Sequence, residues 1–109
     1  MKVGHLIVPV DDIGTAVEFY SETMGLSERF RDGDRYAALT DGSVTLGLAT
    51  AVEQPVPGRI VLSFQVGDLA AFLAAWPGGE DVAVTEGGHE RRATLSDPFG
   101  NPVVVYERS

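Results

Sequence analysis

The chain has 109 residues, 44% hydrophobic and 22% charged, which is the composition of an ordinary soluble domain with length enough for one core. It contains no cysteine, which excludes disulfides, thiolate nucleophiles and thiolate metal sites, so any metal would have to be held by His, Asp or Glu. A formal charge of -8 argues against nucleic acid, whose phosphates need a basic surface, and favours a cationic ligand over an anionic one, although the same acidity also serves solubility.

Short apolar or alternating runs bounded by turn residues read as strands, and two longer stretches carry helical spacing. A strand is predicted at about 2–10 and a helix at about 12–24. Asp12 is the candidate N-cap of that helix, Ile13, Ala16, Val17, Phe19, Tyr20 and Met24 form its apolar stripe, and Gly25 suits the residue just past its end. Strands near 26–31, 34–40 and 43–50 follow, joined by DGDR at 32–35 and TDGS at 40–43. VEQPVPGR, at 52–59, has two prolines and a glycine and makes 52–58 the candidate linker. The pattern then restarts with a strand at 59–66, a helix at 68–76 stopped by PGG, and strands near 81–86, 89–96 and 102–107.

The restart is also visible residue by residue. With a shift of 56, VDDI at 10–13 falls on VGDL at 66–69, Tyr20 on Trp76, and RYAALTD at 35–41 on RRATLSD at 91–97. Two copies are too few for a solenoid. Two βαβββ modules, at about 1–51 and 59–109, account better for the repeat and make the chain a single α+β domain, because pairing them covers a sheet face of each.

The two βαβββ units, the opening HLIVPVDDIGTAVEFYSETMGL and the closing DPFGNPVVVYE together resemble the vicinal oxygen chelate superfamily of glyoxalases, extradiol dioxygenases and bleomycin resistance proteins, over essentially the whole chain. In the enzymes of that superfamily the resemblance implies a divalent metal, bound by residues of the first and last strands of each module. Those positions fall on His5, Val61, Val104 and, in module one, Leu46 or Gly47. Only His5 can coordinate, whereas catalytic zinc takes three protein ligands and hard cations several oxygens. His89 and Glu90 follow EGG in an outer turn, and Glu107 lies an odd number of residues from Val104, on the opposite pleat.

Period-two alternation sorts the strands into faces. Leu6, Val8, Val10, Ile60, Leu62, Phe64, Val66, Val103 and Val105 form apolar faces expected to pack under the helices, against Phe19, Tyr20, Phe72 and Trp76. His5, Ile7, Val61, Ser63, Gln65, Val104 and Tyr106 are left for a cleft; in module one Leu46 and Leu48 fit the core better than Gly47, which favours Gly47 at the cleft position. Such a lining, apolar with a few polar groups, is typical of small-molecule sites. Phe30, Arg35, Tyr36, Arg92 and Phe99 are candidates for its rim, and the same residues read equally as packed aromatics and solvated arginines. His5 itself reads either as a ligand contact or as a neutral imidazole satisfied near a strand end.

Other chemistry lacks its residues. DGDRYAALTDG has no continuous calcium loop, GGHE has no second histidine, and neither a G-x-S-x-G elbow nor a P-loop is present. The longest apolar run is far below the roughly 20 residues of a membrane span, and no leader pattern opens the chain, so a cytoplasmic protein without membrane or nucleic-acid partners is expected. The resemblance implies a metal-free homodimer of the bleomycin-resistance branch that sequesters an aromatic or cationic small molecule, such as an antibiotic, without a cofactor. The alternative is a lyase or isomerase that uses His5 as base, or a divalent metal at an atypical site.

Overall fold

The apolar alternation at the start of the chain forms strand β1, Lys2–Pro9, in a computed structural model that describes residues 1–109. Asp12 then caps helix α1, Ile13–Glu18, with its Oδ1 accepting from the Thr15 N–H at 2.8 Å. The expected helix does not continue as a regular one. Phe19–Thr23 widens into a π turn, in which the Met24 N–H donates to the Phe19 carbonyl at 3.1 Å and the Ser21 hydroxyl bonds back to the Val17 carbonyl at 2.6 Å. The extra residue in that turn shifts the apolar register, so Ile13 and Val17 are buried while Phe19 and Met24, expected in the stripe, are exposed. Gly25 adopts a φ of 81°, and the chain leaves the turn through it.

Strands β2 (Ser27–Asp32), β3 (Tyr36–Thr40) and β4 (Thr45–Ala49) complete this module in the order β2-β3-β4-β1, with β4 parallel to β1 and the other pairs antiparallel. Its core is Ile13, Val17, Ala37, Leu39 and Leu48, flanked by Val8, Val10, Tyr20, Leu26 and Leu46. The proline-rich stretch that follows is clamped by one side chain. Gln54 donates to the Ala49 carbonyl and accepts from the Gly58 N–H, both at 2.9 Å.

The second module repeats the plan with β5 (Val61–Gln65), α2 (Leu69–Ala75), β6 (Val84–Glu86), β7 (Glu90–Ser96) and β8 (Pro102–Arg108), ordered β5-β8-β7-β6. Two carboxylates hold the start of α2. Asp68 accepts from the Ala71 N–H at 2.9 Å, and Glu107, reaching across from β8, accepts from the Leu69 N–H at 2.7 Å. Leu69 and Leu73 pack on Ala93, Leu95 and Val105, with Phe72 and Trp76 stacked 5.7 Å apart beside them. Ile60 and Leu62, expected beneath the helix, are instead exposed, Ile60 to 62%. A helix of seven residues is only about 10 Å long, and it lies over β7 and β8.

The chain divides into two compact units, His5–Val61 and Leu62–Ser109, and Met1–Gly4 belongs with the second. No helix is long and apolar enough to cross a membrane.

Turn carboxylates link this architecture to pH. The Thr15 N–H on Asp12, the Val44 N–H on Asp41 and the Asn101 amide on Asp97 each hold the carboxyl below its ordinary 3.8. A lowered folded-state value means that the stabilisation is complete above the unfolded value and is lost as pH falls through the folded one. Melting temperature is therefore expected to be flat with respect to these groups at pH 5 and to fall below about pH 3.8. Asp97→Asn should melt lower at pH 5 and lose less on acidification.

Candidate functional site

Each module presents one sheet face away from its helix, and the register assigns the residues on it. In module one Ile7 is opposite Gly47, Gly47 opposite Ala38, and Tyr36 opposite Ala49. Leu46 packs in the helix-side core, so Gly47 is the residue of β4 that takes the open face. Gly47 is buried beneath Tyr36: a Cβ there would collide with the phenolic oxygen and stand 3.0 and 3.1 Å from two ring carbons. Phe30 joins this face opposite Ala38, its ring 6.5 Å from that of Tyr36. His5, two residues before Ile7 on β1, is half-buried and already engaged by a neighbour. Arg35 closes the β2–β3 turn, bonding Asp32 Oδ2 at 2.7 Å in an exposed pair worth little to stability. Val61, at the end of the unit, is fully buried.

In module two Ser63 is opposite Val104 and Val104 opposite Thr94; one pleat along, Gln65 is opposite Tyr106 and Tyr106 opposite Arg92. Val103, Val105, Ala93 and Leu95 face the helix, so the first group occupies the open face. Val104 and Tyr106 are buried, and Ser63 is 1% exposed with an Oγ that makes no hydrogen bond. The Tyr106 hydroxyl rests on Gly4, where a Cβ would meet it and two ring carbons at 2.8 Å. Burial pushes the Tyr106 hydroxyl up in pKa; Arg108 opposes this and Glu90 adds to it, so the group is a protonated phenol at neutral pH.

Phe99, a candidate for the rim, is not brought onto this face. It stands 88% exposed on a turn organised by Asp97, which accepts from the Phe99 and Asn101 N–H groups. An open groove of about 410 Å³ lies in the same unit among Met1, Lys2, Gln65, Val66 and Gly67. Gly4 escaped the sequence reading, yet a glycine inside an otherwise regular strand is a known sign of close approach by another group. Its partner Tyr106 lies 102 residues away in sequence, which is why the pairing itself was not legible.

Residues 5–106 match the glyoxalase-like domain family, and the chain belongs to that family. It is 37% identical over 108 residues to an uncharacterized protein of Mycolicibacterium smegmatis, covering 96% of this chain and 92% of that one. The fold is that of a glyoxalase/bleomycin resistance protein/dioxygenase superfamily member from Vibrio splendidus, with a TM-score of 0.74 at 14% identity over 94% of this chain and 96% of the other. It also matches 33% of the chain of a homoprotocatechuate 2,3-dioxygenase variant from B. fuscum, covering all of this one, with a TM-score of 0.66 at 16% identity. The family match places the protein in the vicinal oxygen chelate superfamily, and the likeness to the solved structures shows the mixed α+β fold expected of it.

A divalent metal, which that superfamily implies, does not fit the residues present. Beside His5, the implied positions hold Gly47, Val61 and Val104, none with a donor side chain, and Tyr36 fills the space a side chain at 47 would need. Nowhere do three His, Asp or Glu side chains gather to hold an ion. No step through a metal is derived.

The glycine–tyrosine contacts predict a coupled pair of effects. Gly47→Ala should destabilise by about 1–3 kcal/mol through overpacking. In a Tyr36→Ala background the same change should cost markedly less, a non-additivity that a double-mutant cycle in urea reads directly. Equal costs in both backgrounds would show that Tyr36 is not the obstacle.

Proposed function

We propose that this protein is a metal-free small-molecule-binding protein of the glyoxalase and bleomycin-resistance type, holding an aromatic or cationic ligand on its apolar sheet faces. The observation that carries the reading is the donor set: Gly47, Val61 and Val104 stand where the resemblance places metal ligands, and none of them has a side chain that can coordinate. Phe30 and Tyr36 support it. Their rings lie 6.5 Å apart on the open face of module one, with Phe30 exposed, a setting that suits a planar aromatic or cationic ligand. Sequestration of an antibiotic-like molecule needs roughly micromolar affinity, about -8 kcal/mol, which contact of this kind supplies to a drug-sized ligand. Two chains pairing as a homodimer would cover apolar side chains now exposed, Ile60 and Leu62 among them.

Elemental analysis of protein purified without chelators should find no stoichiometric divalent metal. Calorimetry against a panel of cationic aromatic antibiotics should show binding that EDTA leaves unchanged and that Tyr36→Ala weakens. A stoichiometric metal lost in His5→Ala would overturn the reading in favour of a lyase or isomerase built on His5. Sedimentation equilibrium should give twice the chain mass.

A further inference from the structure

On the open face of module one the side chains around Ala38 are sorted by chemistry. Phe30 is directly opposite Ala38 on β2, Tyr36 and Thr40 stand two residues to either side of it on β3, and Gly47 is opposite it on β4. Ala38 is half-buried, whereas Ala37 and Leu39, on the helix side of the same strand, have no exposure at all. The methyl group of Ala38 is thus the floor of a shallow seat. Two rings border it: Phe30 is 53% exposed, and Tyr36 lies with its phenolic end on Gly47. Their centroids are 6.5 Å apart and their planes are tilted by 51°. A cation about 4 Å above the midpoint lies roughly 5 Å from both centroids, inside the range of about 6 Å over which ring faces attract positive charge.

The polar groups at this seat are already committed. Asp32, the carboxylate opposite Tyr36, accepts from Arg35 at 2.7 Å, and Tyr36 itself is engaged by a neighbour. The Thr40 hydroxyl donates to the Val44 carbonyl at 2.7 Å and accepts from the Gly42 N–H at 3.0 Å. Glu28 is opposite the core residue Leu39, on the other face, and bonds Arg31. Between Glu28 and Arg35 three acidic residues balance three arginines, so no local charge selects the ligand. A primary ammonium or a guanidinium brings N–H groups that lose water on binding and need acceptors in return, and leaving them unpaired is costly. A fully alkylated cation has no such groups. Ring faces and a methyl floor suit it, and the chain's net charge of -8 favours its approach.

From this arrangement we propose that the open face of module one binds the quaternary ammonium group of a small organic cation, seated on Ala38 with its N-alkyl groups against Phe30 and Tyr36. The site rests on the small-molecule-binding reading above and narrows it: the ligand's charged end is fully alkylated, and attraction to ring faces takes the place of an ion pair.

Three probes that share a benzyl group, benzyltrimethylammonium, benzylammonium and benzyl alcohol, titrated into the isotopically labelled full chain and followed by amide chemical shifts, test this. Benzyltrimethylammonium should saturate, with the largest shifts at Phe30, Tyr36 and Ala38, and should bind about tenfold tighter than benzylammonium. Phe30→Leu keeps an apolar side chain at an exposed position and removes the ring, so it should weaken the quaternary probe about threefold to tenfold and leave the melting temperature nearly unchanged. Undiminished binding to Phe30→Leu would overturn the proposal. Equal or tighter binding of benzylammonium would do the same, because an acceptor would then be serving its N–H groups. So would equal binding of benzyl alcohol, since the probe's ring and not its charge would carry the affinity. In these three cases the ligand-binding reading stands. Binding of no probe would overturn the quaternary ammonium site, whereas the antibiotic panel judges the broader reading independently.

Discussion

The constraint on which the structure depends is that each module has one short helix to cover a four-stranded face. Side chains alternate along a strand, so covering one face fixes the register and commits every second residue to the other. Leu46 and Leu48 go under α1, and Gly47 between them goes to the open side. Val103 and Val105 go under α2, and Val104 and Tyr106 go opposite. The composition of the candidate site follows from that commitment before any ligand is considered.

Filling of the open faces follows from the same parity. A face left without a helix must find other cover, and here tyrosines contribute it, the phenol of Tyr36 lying on Gly47 and that of Tyr106 on Gly4. Each glycine is needed because the ring stands where its Cβ would be. A phenol buried in this way contributes area and one hydroxyl, which is a surface for organic molecules and a poor one for metal ions.

Much of this was legible in the sequence, for physical reasons that can be named. The two modules were visible because both faces of their strands are strongly patterned, and the N-caps Asp12 and Asp68 were visible because capping is local chemistry. The π turn was not legible: Phe19 and Met24 keep a helical spacing in the sequence, and only a hydrogen bond spanning five residues moves them out. Ile60 and Leu62 read as core because alternation says which face a residue is on and nothing about how far the covering helix extends. The face of Glu107 was legible, but its bond to the first turn of α2 was not, since a contact spanning 38 residues leaves no local signal. Likewise Ser63 could be assigned a face, and only the structure shows that its hydroxyl is unpartnered.

The division of the chain bears on how it comes to be folded. Met1–Gly4 are made before the whole of module one, yet they belong to the unit finished by β8, whose Tyr106 lies on Gly4. His5–Val61 is complete once the linker is made; the other unit must wait for β8. Its closure joins Gly4 to Tyr106, 102 residues apart, a long-range contact of the kind that forms slowly. Synthesis and folding are thus coupled at β8, and a nascent chain halted before it would hold Met1–Gly4 without the unit they belong to.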